Sequence, residues 1–213
     1  MTTLRHLTAA IVALLLSASL ACGGASEDCA AAAGYGKEDY SAALRLCRPL
    51  AEQGDAKAQS ALGFMYTNGE GVQQDYTEAA LWYRQAANQG LARAQSALGF
   101  MYNFGRGVPQ DNAEAVKWYR KAAEQDDAFG QASLGLMYEL GDGLPQNYVL
   151  AHMWFNLAAA HGHADFADYG NMADIMYEAT KSNADMRDEL AKKMTPEQIA
   201  EAQRLARQWK PTK

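Results

Sequence analysis

The sequence predicts an all-α fold, an α/α superhelical solenoid of antiparallel helix pairs, and three observations carry that prediction. A 36-residue unit is repeated: residues 54–89 and 90–125 agree at 24 of 36 positions, and residues 126–161 agree with the second copy at 14 of 36. Inside each copy apolar residues recur at three- and four-residue steps in two runs, Ala58, Leu62, Met65 and Tyr66 followed by Ala79, Trp82, Tyr83 and Ala86, the spacing of two amphipathic helices. Each run is also punctuated as a helix, with Gly69 suited to the left-handed residue after the first and Asp75 followed by Glu78 suited to opening the second. One such unit cannot bury its apolar face alone, so each is stabilised by stacking on its neighbours, and function is expected on a surface rather than in a pocket.

Taken from the start, residues 1–21 read as a signal peptide: Arg5 is their one charged side chain, 7–20 are largely apolar, and Ser19, Leu20 and Ala21 precede Cys22. The apolar run is too short to span a bilayer. Cys22 stands where a lipoprotein would be acylated, with Gly23, Gly24, Ala25 and Ser26 as a tether, although Leu20 lies one place late for the usual lipobox. Lipidation at Cys22 and ordinary cleavage both stay open. Residues 22–53 form the tether and a capping helical hairpin, in which Asp39, Tyr40 and Ala43 match Asp75, Tyr76 and Ala79 as half a unit. Cys29 and Cys47 lie symmetrically about the polar turn at 34–38, so they face one another across a hairpin and are expected to form a disulfide in an exported protein; the alternative is two reduced, buried thiols.

Residues 54–167 hold the repeats. The helices of a unit are joined by an eight-residue loop whose Val72, Val108 and Leu144 are apolar in every copy, as if to plug the gap between helix ends. The cap pair of Asp75 and Glu78 recurs as Asp111 and Glu114, while the third copy keeps only Asn147, with Leu150 where the acid would be. The return to the next unit is tight, at Gly54, Gly90, Asp126 and Gly162, which leaves successive helices antiparallel and adjacent. Gly63, Gly99 and Gly135 fall inside the first helix of each unit, where glycine costs about 1 kcal/mol relative to alanine. Close approach of a flat ring, from Trp82, Trp118 and Trp154 or the adjacent aromatic residues, would offset that cost.

After Gly162 the register fails, with Asn171 and Asp174 where Gly and Tyr are expected. Residues 168–213 are therefore read as a helical cap: a longer helix to about Lys181, a shorter one around 186–193, and a last one opened by Thr195, Pro196, Glu197 and Gln198.

At this point the strings AQSALGFMYTNGEGVQQDYTEAALWYRQAANQG and AQSALGFMYNFGRGVPQDNAEAVKWYRKAAEQ closely resemble the Sel-one-like repeat, a tetratricopeptide-like α/α unit with the pattern LG..Y..G.GV..D...A..WY..AA. The resemblance covers about 39–167 and implies a right-handed superhelix whose concave face binds other proteins, in scaffold or adaptor work often at the bacterial envelope. The C-terminal MTPEQIAEAQRLARQW looks like the end cap of exported bacterial members. Some exported relatives with cysteine-rich repeats are described as acting on β-lactams or cell-wall material, which gives the alternative of an enzyme. Residues 54–161 contain no cysteine, which departs from that group.

Chemistry and charge narrow the function further. With 25 acidic against 19 basic residues the chain has a net charge of −6, a balance that argues against a nucleic-acid partner. No Ser-x-x-Lys with Lys-Thr-Gly, Gly-x-Ser-x-Gly or phosphate loop is present, so no catalytic residue, cofactor or metal is assigned. His152, His161, His163 and Asp165 come nearest to a ligand cluster, but they straddle a helix break and read as surface and turn residues. The positions where the copies disagree are those packing does not dictate: Lys57, Arg93 and Phe129; Thr67, Asn103 and Glu139; Asn68, Phe104 and Leu140. Of these, Lys57, Arg93, Phe104, Phe129, Glu139 and Leu140 are the candidate contacts for a protein partner, with the apolar three as exposed anchors. The expected setting is the periplasm, the outer membrane through a lipid at Cys22, or the exterior, and a membrane would be met only through that lipid.

Overall fold

A computed structural model describes Cys29, residues 40–161 and residues 182–212. The signal peptide, Cys22, the turn at 34–38, Gly162, His163, Asp165, Asn171, Asp174 and the helix expected to reach Lys181 lie outside the described residues. Helices follow one another as α1 (Tyr40–Glu52), α2 (Ala56–Asn68), α3 (Tyr76–Asn88), α4 (Ala92–Phe104), α5 (Asn112–Glu124), α6 (Ala128–Leu140), α7 (Tyr148–Ala159), α8 (Asn183–Ala191) and α9 (Pro196–Gln208). Each of α2 to α7 packs on the helix before it, and both α8 and α9 pack on α7. The first helices α4 and α6 also meet. The fold is an all-α solenoid of helix pairs.

Local chemistry sets the helix ends. The Asp75 carboxylate accepts from the backbone N–H of Thr77 and of Glu78, Asp111 accepts from Glu114 N–H, and Asn147 from Leu150 N–H, so one side chain opens each second helix. The full reciprocal box closes at Thr195 with Gln198, and again at Ser182 with Asp185, beyond the one expected from the sequence. The first helices end at Gly69, Gly105 and Gly141, all left-handed, whose N–H groups return to the carbonyls of Met65, Met101 and Met137. Val72, Val108 and Leu144 are half-buried and pack against the core.

Side chains at fixed places in the repeat hold the pairs together. A Cβ on Gly99 would come 2.7 Å from the Tyr119 ring, and the same approach is made by Tyr83 to Gly63 and Phe155 to Gly135. A flat ring does stand where the glycine lacks a side chain, and it comes from the residue after each tryptophan. Between units, beside the helix packing, one contact is backbone on backbone. Gly107 has φ 68° and a Cβ there would lie 2.0 Å from the Tyr76 carbonyl oxygen, so each inter-helix loop sits directly on the start of the preceding unit's second helix. At the other end Cys29 and Cys47 are joined by a disulfide, with their Cα atoms 5.1 Å apart, and both are fully buried beside Leu62 and Met65.

Candidate functional site

Three ladders of polar side chains run along the solenoid at the repeat period. In the first, Gln59 and Gln95 donate to the carbonyls of Ala51 and Ala87 near the end of the preceding helix, and in turn accept from Gln89 and Gln125 at 2.8 Å. Each of these buried amides adds a second donor to a helix-end carbonyl that already accepts from a backbone N–H, Gly54 to Ala51 and Gly90 to Ala87. The third unit rewrites this rung. His161 takes the place of glutamine, and the Asp126 carboxylate gathers both His161 Nε2 at 3.0 Å and the Gln131 amide at 2.9 Å. Asp126 has φ 70° where Gly54 and Gly90 hold the same turn, so a side chain is held in a glycine conformation beside this network.

In the second ladder Gln74, Gln110 and Gln146 donate to the carbonyls of Thr67, Asn103 and Glu139 and so close the ends of α2, α4 and α6. The third reaches the surface. Arg48, Arg84 and Arg120 each donate to a phenol oxygen in the next unit, to Tyr66 at 3.1 Å, Tyr102 at 2.7 Å and Tyr138 at 3.1 Å. Both residue types recur in the sequence at the repeat interval, the signal by which this ladder is legible there.

The candidate partner contacts divide. Phe104 and Leu140 occupy the last residue of α4 and α6 and are exposed at 38% and 63%; the Phe104 ring rests on Phe100 at 4.6 Å. Lys57 is exposed and Arg93 half-buried over the Phe64 ring. Glu139 is held by Lys193 at 2.8 Å, and that contact raises the Lys193 pKa. Phe129 corrects the expectation of an exposed anchor: it is fully buried, edge-on to Tyr119. The reason lies one residue on, where Gly130 replaces Ala58 and Ala94 and lets the start of α6 settle onto Ala122 and Ser96.

His152 is a second correction. Its ring is 3% exposed, with no hydrogen-bond partner at Nδ1, in place of the surface position expected of it. Burial lowers its pKa, as does Arg187, with Asp188 opposing. Among the described residues no group of three or more His, Cys, Asp or Glu is placed to hold a metal ion, and no helix is long and apolar enough to cross a membrane.

Comparison with known proteins fits this geometry. The family model for the Sel1 repeat matches four times, over residues 30–55, 56–91, 92–127 and 128–163, and the first match takes in the half unit around Tyr40. Among solved structures the chain is similar to a protective antigen of uropathogenic Escherichia coli strains displaying an SLR fold, at 49% identity and TM-score 0.56 over 59% of this chain and 27% of that one. It is likewise similar to a Sel1 repeat protein from Oxalobacter formigenes, at 42% identity and TM-score 0.53 over 56% of this chain and 91% of that one. The chain thus spans about a quarter of the antigen's length. No curated protein matches. With four matches that together span most of the sequence, and the same helix pairs in its structural neighbours, the chain belongs to the Sel1 repeat family.

Proposed function

We propose that this chain is a non-enzymatic protein-interaction scaffold or adaptor of the bacterial cell envelope, which docks a partner along the surface where the first helices of its units end. The family gives the general role, since Sel1 repeat proteins act in protein–protein interaction. The observation that carries the reading is the pair Phe104 and Leu140: equivalent positions in successive units, both exposed and both apolar, while the equivalent Asn68 is polar. Large apolar side chains held at the ends of rigid helices are the kind of anchor that dominates binding energy at interfaces. The disulfide supports an oxidising, exported setting, and the structural neighbours are bacterial.

The test is cross-linking of the chain in a Gram-negative host, comparing wild type with Phe104→Asp combined with Leu140→Asp. The expected result is a saturable cross-linked partner that is lost in the double variant while its melting temperature is kept. A partner captured equally well by the variant would move the interface elsewhere.

A further inference from the structure

The arginine–tyrosine ladder has a chemistry that its structural role does not use up. In each rung one guanidinium N–H is donated to a phenol oxygen. The phenol acts as acceptor, so its own O–H is left to donate, and the guanidinium keeps further N–H groups. Neither Arg48, Arg84 nor Arg120 forms an ion pair with a carboxylate among the described residues, although the chain has 25 acids against 19 bases. The other described basic groups in close ion pairs, such as Lys193 with Glu139 and Arg204 with Glu201, have found theirs. Arg48 and Arg120 are exposed and Arg84 half-buried. The ladder then stops, because Asn156 takes the arginine position in the third unit.

We infer that Arg48, Arg84 and Arg120, each paired with Tyr66, Tyr102 or Tyr138, form an anion-binding ladder for an acidic, extended peptide segment of the partner, one carboxylate to a rung. This rests on the protein-scaffold reading and names the partner's chemistry. A guanidinium N–H and a phenol O–H held within hydrogen-bond distance of one another on adjacent helices supply two donors, one for each oxygen of a carboxylate. The spacing also fits. Tyr102 and Tyr138 stand on α4 and α6, which pack directly, and packed helices lie about 8–10 Å apart. A peptide extended as polyproline II advances about 3.1 Å per residue and returns to the same face every third one, so rungs meet acids three residues apart.

The probe is a fluorescent twelve-residue peptide with glutamate at every third position, titrated into the full chain and followed by anisotropy. Expected are saturable binding, loss of binding when each glutamate becomes glutamine, and weakening with added salt. Replacing Arg84 by Gln should weaken binding about fivefold, and Arg48→Gln, Arg84→Gln and Arg120→Gln together about a hundredfold. Equal affinity for the glutamate and glutamine peptides overturns the proposal and needs no variant. So does a triple variant that keeps its helical circular dichroism yet binds as wild type, or a polyuronate that competes more tightly than the peptide. A cross-linked partner lost from the Phe104 and Leu140 variant but kept by the arginine triple variant would sink the ladder and leave the scaffold reading standing.

Discussion

At the residue scale the most consequential departure from the repeat is His152, which occupies the position of Ala80 and Val116 and is buried on α7. Burial penalises its charged form, so the folded protein holds fewer protons than the unfolded chain below the ordinary imidazole pKa of about 6.5. Stability therefore rises with pH up to that value and is lost as pH falls beneath it. The expected outcome for His152→Val, which restores the residue of the second unit, is a flatter dependence of urea midpoint on pH between about 5 and 7. A variant with the same slope as wild type would show that the imidazole is not responsible. The sequence did not reveal His152 as core because a single histidine on an apolar face carries no periodic signal of its own. Phe129 is hidden in the sequence for a related reason. Its position holds Lys57, Arg93 and Phe129, and such variety suggests a solvated site, but the space there depends on the neighbouring Gly130. By contrast Gly99 was legible as a helix-crossing glycine, because a costly residue recurred unchanged in all three units.

At the element scale the unit is held by two unlike contacts. Within a pair, helix lies on helix through glycine against ring, and between units a loop lies on a helix start. The second contact is the less forgiving, because the atoms facing Gly107 are backbone and cannot rotate away. Gly107→Ala places a side chain in a left-handed conformation and drives it into the Tyr76 carbonyl. The expected cost is about 3 kcal/mol, read as a lower midpoint in denaturant unfolding, and a change below about 1 kcal/mol would mean that the loop can lift off its seat. Helix identities and caps could be read from sequence, since their determinants lie within a few residues. Which ring would fill each glycine, and that arginine and tyrosine would meet 18 residues apart, depends on how units are stacked.

At the scale of the whole molecule the disulfide and the last helix tie down opposite parts of an otherwise additive structure. The Cys29–Cys47 bridge closes a loop of 18 residues, for which loop-closure entropy gives about 3 kcal/mol. Contacts in a solenoid pass mainly between neighbours, so reduction should loosen α1 and α2 first and leave α4 to α7 protected. Hydrogen exchange with and without reductant would show this as faster exchange confined to the N-terminal helices, and uniform acceleration would mean that the units unfold as one. At the far side α9 lies along α7, Trp209 meets Trp154 at 5.9 Å, and Thr212 bonds to the Glu124 carbonyl on α5. The seating of each loop on the unit before it has one more consequence, in the history of the gene. Gly71 meets Tyr40 as Gly107 meets Tyr76, so a duplicated copy of the 36-residue unit arrives with both of its interfaces already complementary to its neighbours. Unequal recombination between the first two copies, which are so similar, would lengthen or shorten the protein by a whole unit and leave every loop with a seat.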